Sequence, residues 1–129
     1  MKVFFDANVI ISGFATRGYS FDVIKDAVYK HEVYYTEHLL KEIQRVLPSK
    51  FPLSGRVIHF AIFIIKKYFT KSKTAGAVEK ICRDPDDNQI LADALMNNID
   101  VIITGDRDLL VLKTHKGIKI ISPKEYWNL

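Results

Sequence analysis

The segment Lys2-Val3-Phe4-Phe5-Asp6-Ala7-Asn8 gives the first indication of the fold, because a short apolar run passes directly into an aspartate. The same arrangement returns near the other end of the chain as Val101-Ile102-Ile103-Thr104-Gly105-Asp106. Short apolar runs of this kind are typical of strands in a parallel sheet that is covered on both faces. Because ligands bind at the carboxyl ends of such strands, we expect Asp6 and Asp106 to lie together at one edge of a sheet. Helix capping is the alternative role for either aspartate taken alone.

Strands and helices alternate along the rest of the chain. We predict further strands at residues 33–35 and 118–121, a short extended piece at 79–82 and an irregular segment at 71–77. We predict helical segments at 9–14, at 21–30 after an N-cap at Ser20, and at 37–47 between Thr36 and Pro48. A longer helix is predicted from Ser54 or Leu53 to about residue 69. The last two predicted segments are 85–98, which follows Asp84, and 106–111. Ser122 and Glu125 have the spacing of a capping box. This order predicts an α/β fold, a three-layer α/β/α sandwich with a central, mainly parallel sheet.

The bulk composition sets limits on the class of protein. The chain has 129 residues, of which 48% are hydrophobic, so we expect one domain over residues 1–129 with one packed core. The sequence has no apolar run of about 18 residues and no secretory pattern, and we therefore expect a cytoplasmic protein with no membrane contact. A single cysteine, Cys82, excludes an internal disulfide. The net charge of +4 fits either ordinary solubility or an anionic partner.

Two further acids lie on predicted amphipathic helices. Asp87 stands at helical spacing from the apolar residues that follow it, so we expect it on the buried face; a capping acid in the first helical turn is the alternative. Glu42 lies at the edge of an apolar stripe, where it either reaches over the sheet edge or forms a surface pair with Arg45. Asp93 falls away from the apolar stripe of its helix, and we expect a solvated charge there.

The four acids form a specific pattern when they are taken together. Asp6, Asp106, Asp87 and Glu42 would repel one another at close range, so a cation is needed to keep them ionised. Ligands that are all oxygen favour Mg²⁺ or Mn²⁺ over zinc. A divalent ion held by acids in a basic protein points to phosphodiester chemistry.

The chain resembles PIN-domain proteins over essentially its whole length. The matching stretches are Asp6-Ala7-Asn8-Val9, Leu40-Lys41-Glu42-Ile43, Asp84-Pro85-Asp86-Asp87-Asn88-Gln89-Ile90-Leu91-Ala92, Thr104-Gly105-Asp106-Arg107-Asp108-Leu109-Leu110, and Ile120-Ile121-Ser122-Pro123-Lys124-Glu125-Tyr126. Their order and spacing together are specific, although no one stretch is decisive. The branch that the chain resembles contains the toxin components of toxin–antitoxin systems.

This resemblance implies a ribonuclease that depends on Mg²⁺ or Mn²⁺. The family's catalytic acids correspond to Asp6, Glu42, Asp87 and Asp106. Asn8 and Thr104 correspond to small polar residues that orient the carboxylates, and Asp108 corresponds to an acid that joins a second metal. The implied partners are RNA and a small antitoxin protein.

Two groups of basic residues near helix ends are the candidates for RNA contact, one with Arg45, Lys50 and Arg56 and the other with Lys66, Lys67, Lys71 and Lys73. From these we select Arg45, Lys50, Lys67 and Lys71. Tyr68 and Phe69 lie beside the last two and are candidates for base stacking. A solvated helix end beside core aromatics is the alternative. The helix that contains residues 57–69 is apolar nearly all round, which indicates either deep burial or an interface such as a homodimer. The rival function is therefore a binding or regulatory module that acts through association with an antitoxin or RNA.

Overall fold

A six-stranded sheet lies at the centre of the computed structural model, which describes residues 1–52 and 54–129. The strands are β1 (Lys2–Phe5), β2 (Glu32–Tyr35), β3 (Thr70–Lys71), β4 (Val101–Ile103), β5 (Thr114–His115) and β6 (Ile118–Ile121). Their order across the sheet is β3-β2-β1-β4-β6-β5. All neighbouring strands are parallel except β5 and β6, which form an antiparallel pair. The predicted, mainly parallel α/β fold is confirmed.

Helices connect the strands and cover the sheet. They are α1 (Ala7–Thr16), α2 (Tyr19–Lys30), α3 (Glu37–Lys50), α4 (Gly55–Tyr68), α5 (Pro85–Met96), α6 (Arg107–Leu110) and a terminal 3₁₀ helix (Glu125–Asn128). None of the described helices is long and apolar enough to cross a membrane.

Two hydrophobic cores occupy the two faces of the sheet, because successive residues of a strand point to opposite faces. Phe5 and Ile103 belong to one core, together with side chains of α1 to α4. Phe4 and Ile102 belong to the other, together with Leu91 of α5 and residues around α6. The three-layer arrangement follows from this division.

The strand register fixes the position of the candidate site. β1 and β4 are neighbours, with Phe5 opposite Ile103, so both strands end at the same level. The Asp6 N–H donates to the Ile103 carbonyl at 2.9 Å, which extends the pairing by one residue. The chain continues from β1 to β2 on one side, whereas β4 lies on the other side. The ends of β1 and β4 therefore form the switch point at which such sheets bind ligands.

Several predicted helix boundaries are wrong. Pro48 does not end α3, which continues to Lys50; a proline in the last turn removes only one helical hydrogen bond, and the Phe51 N–H still donates to the Leu47 carbonyl at 2.9 Å. Ser20 is not an N-cap, because α2 already begins at Tyr19. The turn predicted at 9–14 is part of the longer α1.

The remaining helix starts agree with the sequence where the structure describes them. Thr36 accepts a hydrogen bond from the Leu39 N–H, and Asp84 accepts one from the Asp86 N–H. α4 begins at Gly55 after Ser54, and the alternative start at Leu53 lies outside the described residues. Ser122 and Glu125 exchange the two hydrogen bonds of a capping box.

The smallest strands were not predicted. β3 and β5 contain two residues each, and neither has the apolar signature of a buried strand. Conversely, residues 79–82 form no strand. The N–H groups of Ile81 and Cys82 donate to the Asn88 side chain of α5 instead, at 3.0 and 2.6 Å.

Candidate metal centre

Three of the four predicted acids meet at the ends of β1 and β4. Asp6 follows β1 directly, Asp106 follows β4 after two residues, and Asp87 lies in the first turn of α5. One carboxylate oxygen from each lies within 4.8 Å of the others. Asp6 and Asp87 are 5% and 4% exposed, so two of the three carboxylates are almost inaccessible to water.

Thr104 connects two of these aspartates. Its buried hydroxyl donates to Asp6 Oδ2 at 2.7 Å and accepts from the Asp106 N–H at 3.0 Å. Asp6 makes no side-chain capping bond to α1, whereas Asp106 Oδ1 caps α6 by accepting from the Asp108 N–H at 2.9 Å. Helix capping therefore accounts for one carboxylate oxygen of Asp106, and it does not account for Asp6.

Burial makes this cluster electrostatically costly. Burial raises the pKa of Asp6; the hydrogen bond from Thr104 opposes that shift, and the Asp106 carboxylate adds to it. Burial, followed by the neighbouring Asp106, raises the pKa of Asp87 to about 8. Asp87 Oδ2 is buried and has no hydrogen-bond partner among the described residues. An unpaired buried carboxylate oxygen beside two further carboxylates fits a divalent cation that prefers oxygen ligands.

Glu42 lies beside this cluster rather than in it. Its carboxylate groups with His38 and Asp86, again with ligand atoms within 4.8 Å of one another. Burial, followed by the charges of Asp6 and Asp86, raises the pKa of Glu42 to about 8. Glu42 is therefore close enough to Asp6 to respond to its charge.

The basic residue Arg45 contacts Asp86 and not Glu42. Its Nη2 donates to Asp86 Oδ2 at 2.6 Å, while His38 Nε2 lies 3.0 Å from Asp86 Oδ1. Helices α3 and α5 are joined by these contacts next to the acidic cluster. Neither His38 nor Asp86 was selected as a site residue from the sequence, because the two lie on different helices and no spacing in the sequence relates them.

Lys50 reaches the site through Asn8. Its Nζ donates to Asn8 Oδ1 at 3.0 Å, and Asn8 is the second residue of α1, directly after Asp6 and Ala7. Asp108 is directed elsewhere: both of its oxygens accept from Arg83 Nη2, at 3.1 and 3.0 Å. The structure thus brings Lys50 to the edge of the site and keeps Asp108 out of the three-aspartate group.

The other predicted RNA contacts lie outside the acidic cluster. Lys67 is near the end of α4, with its Nζ 5.6 Å from the Phe63 ring centre and 5.5 Å from that of Tyr68. Lys71 is exposed on the edge strand β3. Phe69 is 5% exposed and packs against the core, so it is not available to stack on a base.

Asp93 is not a solvated charge, and that prediction is wrong. The residue is 2% exposed, and its Oδ1 accepts from the Ala75 N–H at 2.6 Å and from Gln89 Nε2 at 2.9 Å. Asn97 holds the same stretch by donating to the Lys73 carbonyl at 2.7 Å. Segment 73–82 thus folds over a second face of α5. The spacing of Gln89, Asp93 and Asn97 by four residues was the available signal for a polar contact face.

The comparisons with known proteins agree with the fold. A PIN domain family model matches residues 2–108. No curated protein sequence matches the chain significantly. Among solved structures, VapBC2 from Rickettsia felis, bound to a DNA fragment from its promoter, has a TM-score of 0.71 at 10% identity and covers 95% of this chain and 98% of its own. VapC20 from Mycobacterium tuberculosis, a Sarcin-Ricin loop cleaving toxin, has a TM-score of 0.65 at 11% identity, with 91% and 98% covered. At these identities the likeness shows the fold alone.

Proposed function

This chain belongs to the PIN domain family, and we propose that it is a metal-dependent endoribonuclease that hydrolyses RNA phosphodiester bonds as the toxin of a toxin–antitoxin pair. The observation that carries the proposal is the meeting of Asp6, Asp87 and Asp106, with ligand atoms within 4.8 Å of one another. The similarity to one RNA-cleaving toxin and to one toxin–antitoxin complex supports the substrate class and the kind of partner.

The three aspartates would hold Mg²⁺ or Mn²⁺. Such an ion supplies Lewis-acid polarisation of a phosphoryl oxygen and lowers the pKa of bound water. The chain's own residues fix the ligand positions: Thr104 orients Asp6, and the first turn of α5 positions Asp87. Glu42, beside the cluster, would position the attacking water through its carboxylate. Asp108 is held by Arg83, so we assign it no metal contact in this arrangement.

The RNA backbone would approach from the side of Lys50. This lysine is exposed and hydrogen-bonded to Asn8 next to the metal ligands, so its charge lies where a phosphate next to the cleaved bond would pass. Arg45 already neutralises Asp86 and would contact a phosphate only at its free edge. Lys67 and Lys71 remain proposed contacts with phosphates farther along the RNA.

An antitoxin would bind through apolar side chains of the first helices. A groove of about 260 Å³ is lined by side chains of α1, α2 and α4, among them Phe14, Phe21, Phe60 and Tyr68. Phe63 and Tyr68 of α4 are 58% and 52% exposed. This surface also supports the second candidate function, a binding module that acts through association with an antitoxin or with another copy of the chain.

An RNA cleavage assay tests the proposal. Cleavage of a single-stranded RNA should stop in EDTA and return with Mg²⁺ or Mn²⁺. Asp6→Asn and Asp106→Asn should each reduce the rate by orders of magnitude, because each removes one charged ligand while its shape is kept. Asp22→Asn, at an exposed acid on α2, is the matched control and should cleave like the wild type. Full activity in chelator would overturn the metal dependence, and an equal loss in Asp22→Asn would overturn the special role of the clustered aspartates. A wild-type protein that cleaves no RNA with either metal would favour the binding module.

A further inference from the structure

Arg17 and Arg56 face one cleft at the far end of α1. The cleft has a volume of about 320 Å³ and is lined by Ala15, Thr16, Arg17, Arg56, Val57 and two phenylalanines. Both arginines are exposed. Among the described residues neither forms a salt bridge, whereas Arg45 and Arg83 each pair with an aspartate. Two guanidinium groups that line one cleft without a carboxylate partner give it a positive charge, which attracts an anion.

The protein holds Arg17 in place at a conformational cost. Arg17 has a φ of 52°, and its N–H closes α1 by donating to the Gly13 carbonyl at 2.8 Å. Glycine or asparagine is the usual residue in this left-handed position. The Arg17 guanidinium lies 4.8 Å from the Phe60 ring centre and 5.8 Å from that of Phe21. A guanidinium that is stacked on aromatic rings keeps its N–H edge free, and it loses little further entropy when it binds a phosphate.

The cleft continues the basic side of the metal centre. Asn8, which accepts from Lys50, lies near the start of α1, and Thr16 lies at its end. These positions are roughly 12 Å apart along the helix, a span that a few nucleotides cover. α3 carries Lys50 at its end, and α4 carries Arg56 in its first turn. Lys50 thus lies at one end of α1 and the two arginines lie at the other.

We propose that Arg17 and Arg56 form a phosphate-binding site for single-stranded RNA, a few nucleotides away from the bond that is cleaved. This proposal rests on the ribonuclease function and names a substrate contact that the acidic cluster does not provide. The cleft shares Phe14 and Phe60 with the apolar groove, but its two arginines and the Lys50 contact at the other end of α1 match a polyanion, which favours RNA over an acidic segment of a protein partner. The site reads the sugar-phosphate backbone and not the base sequence.

The test measures RNA binding separately from cleavage. In an Asp106→Asn background and in EDTA, a labelled single-stranded RNA of about ten nucleotides is titrated across a salt series. Arg17→Gln with Arg56→Gln should weaken binding several-fold at low salt. It should also reduce the slope of log affinity against log salt by roughly 1.4, since each lost contact removes about 0.7. Arg17→Lys should recover part of the slope, because it restores the charge without the flat stacking group.

A matched pair of lysines provides the control. Lys113→Gln with Lys119→Gln removes the same charge around the β5–β6 pair, where both side chains are exposed, and should leave the slope unchanged. In the catalytically intact protein, the arginine variants should lose more activity on the longer RNA than on a dinucleotide. Arg17→Gly should also weaken RNA binding but should fold at least as well as the wild type, because glycine suits the left-handed backbone. Weaker binding by this variant therefore cannot result from misfolding.

The outcomes separate this proposal from the ribonuclease function. An unchanged salt slope, or an equal change in the lysine control, overturns the phosphate site while metal-dependent cleavage stands. A reduced slope in a protein that never cleaves RNA keeps the phosphate site and overturns the nuclease. Loss of binding to an acidic peptide, with RNA binding intact, assigns the cleft to a protein partner and also overturns the proposal.

Discussion

The hydroxyl of Thr104 lies between two of the clustered aspartates and can serve both only in one orientation. Because its oxygen accepts the Asp106 N–H, its proton is free to point at Asp6 Oδ2. Asp6 is thereby fixed in its rotamer before any cation binds, so its side chain loses its conformational entropy during folding and not during metal binding. The buried acids nevertheless favour their protonated forms, which has a measurable consequence.

Without a metal, the protein should lose stability as the pH rises. The pKa of Glu42 is raised from 4.5 to about 8 by burial and by nearby acids, and the pKa of Asp87 is raised to about 8 as well. The folded state therefore keeps protons that the unfolded state releases, so the free energy of unfolding falls between about pH 4 and about pH 8. Thermal unfolding in EDTA across this range measures the fall, and Mg²⁺ should oppose it by binding only the folded state.

Glu42→Gln isolates one of these groups. The variant should melt several degrees higher than the wild type at pH 8 in EDTA and match it near pH 4, since it never carries the buried charge. Glu37→Gln, at an exposed position of the same helix, should follow the wild type throughout. A Glu42→Gln curve that is parallel to the wild-type curve would show that Glu42 titrates normally.

Helix α5 contacts its surroundings on more than one face. Its apolar residues pack on the sheet, its first turn supplies Asp87, and its polar side chains bind segment 73–82. That segment has no regular structure of its own between β3 and α5. Side-chain hydrogen bonds from α5 therefore replace the backbone bonds that a strand or helix would provide.

Asp93→Ala should destabilise the protein by about 2 kcal/mol, because it leaves the partly buried Ala75 N–H and the Gln89 amide without their acceptor. Asp93→Asn should cost less, since it keeps an acceptor oxygen and removes a carboxyl whose pKa burial raises. Urea unfolding measures both, with Asp22→Ala as an exposed control. Faster hydrogen exchange in segment 73–82 should accompany the alanine variant, and equal stability of the two alanine variants would contradict this role for Asp93.

The sequence predicted those elements that have a local signal. β1, β2, β4 and β6 are apolar runs, and Asp6 and Asp106 follow directly from where two of these runs end. β3 and β5 carry no such signal because two residues at a sheet edge bury little. Asp93 was misplaced because a helical wheel compares a residue only with its own helix, whereas its partner Ala75 arrives from elsewhere in the chain. The pairing of Asp86 with His38 and Arg45 depends on the packing of α3 against α5, which no spacing in the sequence encodes.

One hydrogen bond joins the terminal 3₁₀ helix to α2. Tyr126, in the terminal 3₁₀ helix, is 3% exposed, and its hydroxyl donates to Asp26 Oδ2 of α2 at 2.6 Å. This bond is the largest cause that lowers the pKa of Asp26. A lowered carboxyl pKa stabilises the fold at neutral pH, and that stabilisation disappears as acid protonates the group.

Tyr126→Phe should therefore lower the melting temperature by a few degrees at pH 7. The difference from the wild type should shrink as the pH falls through the lowered pKa of Asp26, because acid then protonates Asp26 in both proteins. Tyr29→Phe, at a position that is 88% exposed, is the matched control and should have no effect at either pH. A difference that persists in acid would mean that the hydroxyl acts through packing and not through the Asp26 charge.

The two-residue strands at the borders of the sheet also govern how this protein can meet another chain. An extended peptide adds to a sheet by continuing its ladder of backbone hydrogen bonds, and it needs a long, flat border to do so. β3 and β5 offer two residues each, and both residues of β3 are exposed, one of them a lysine. Such borders discourage strand addition and edge-to-edge aggregation. A protein partner is therefore expected to bind to helical side chains, and extension of the sheet by a second chain is disfavoured at both borders.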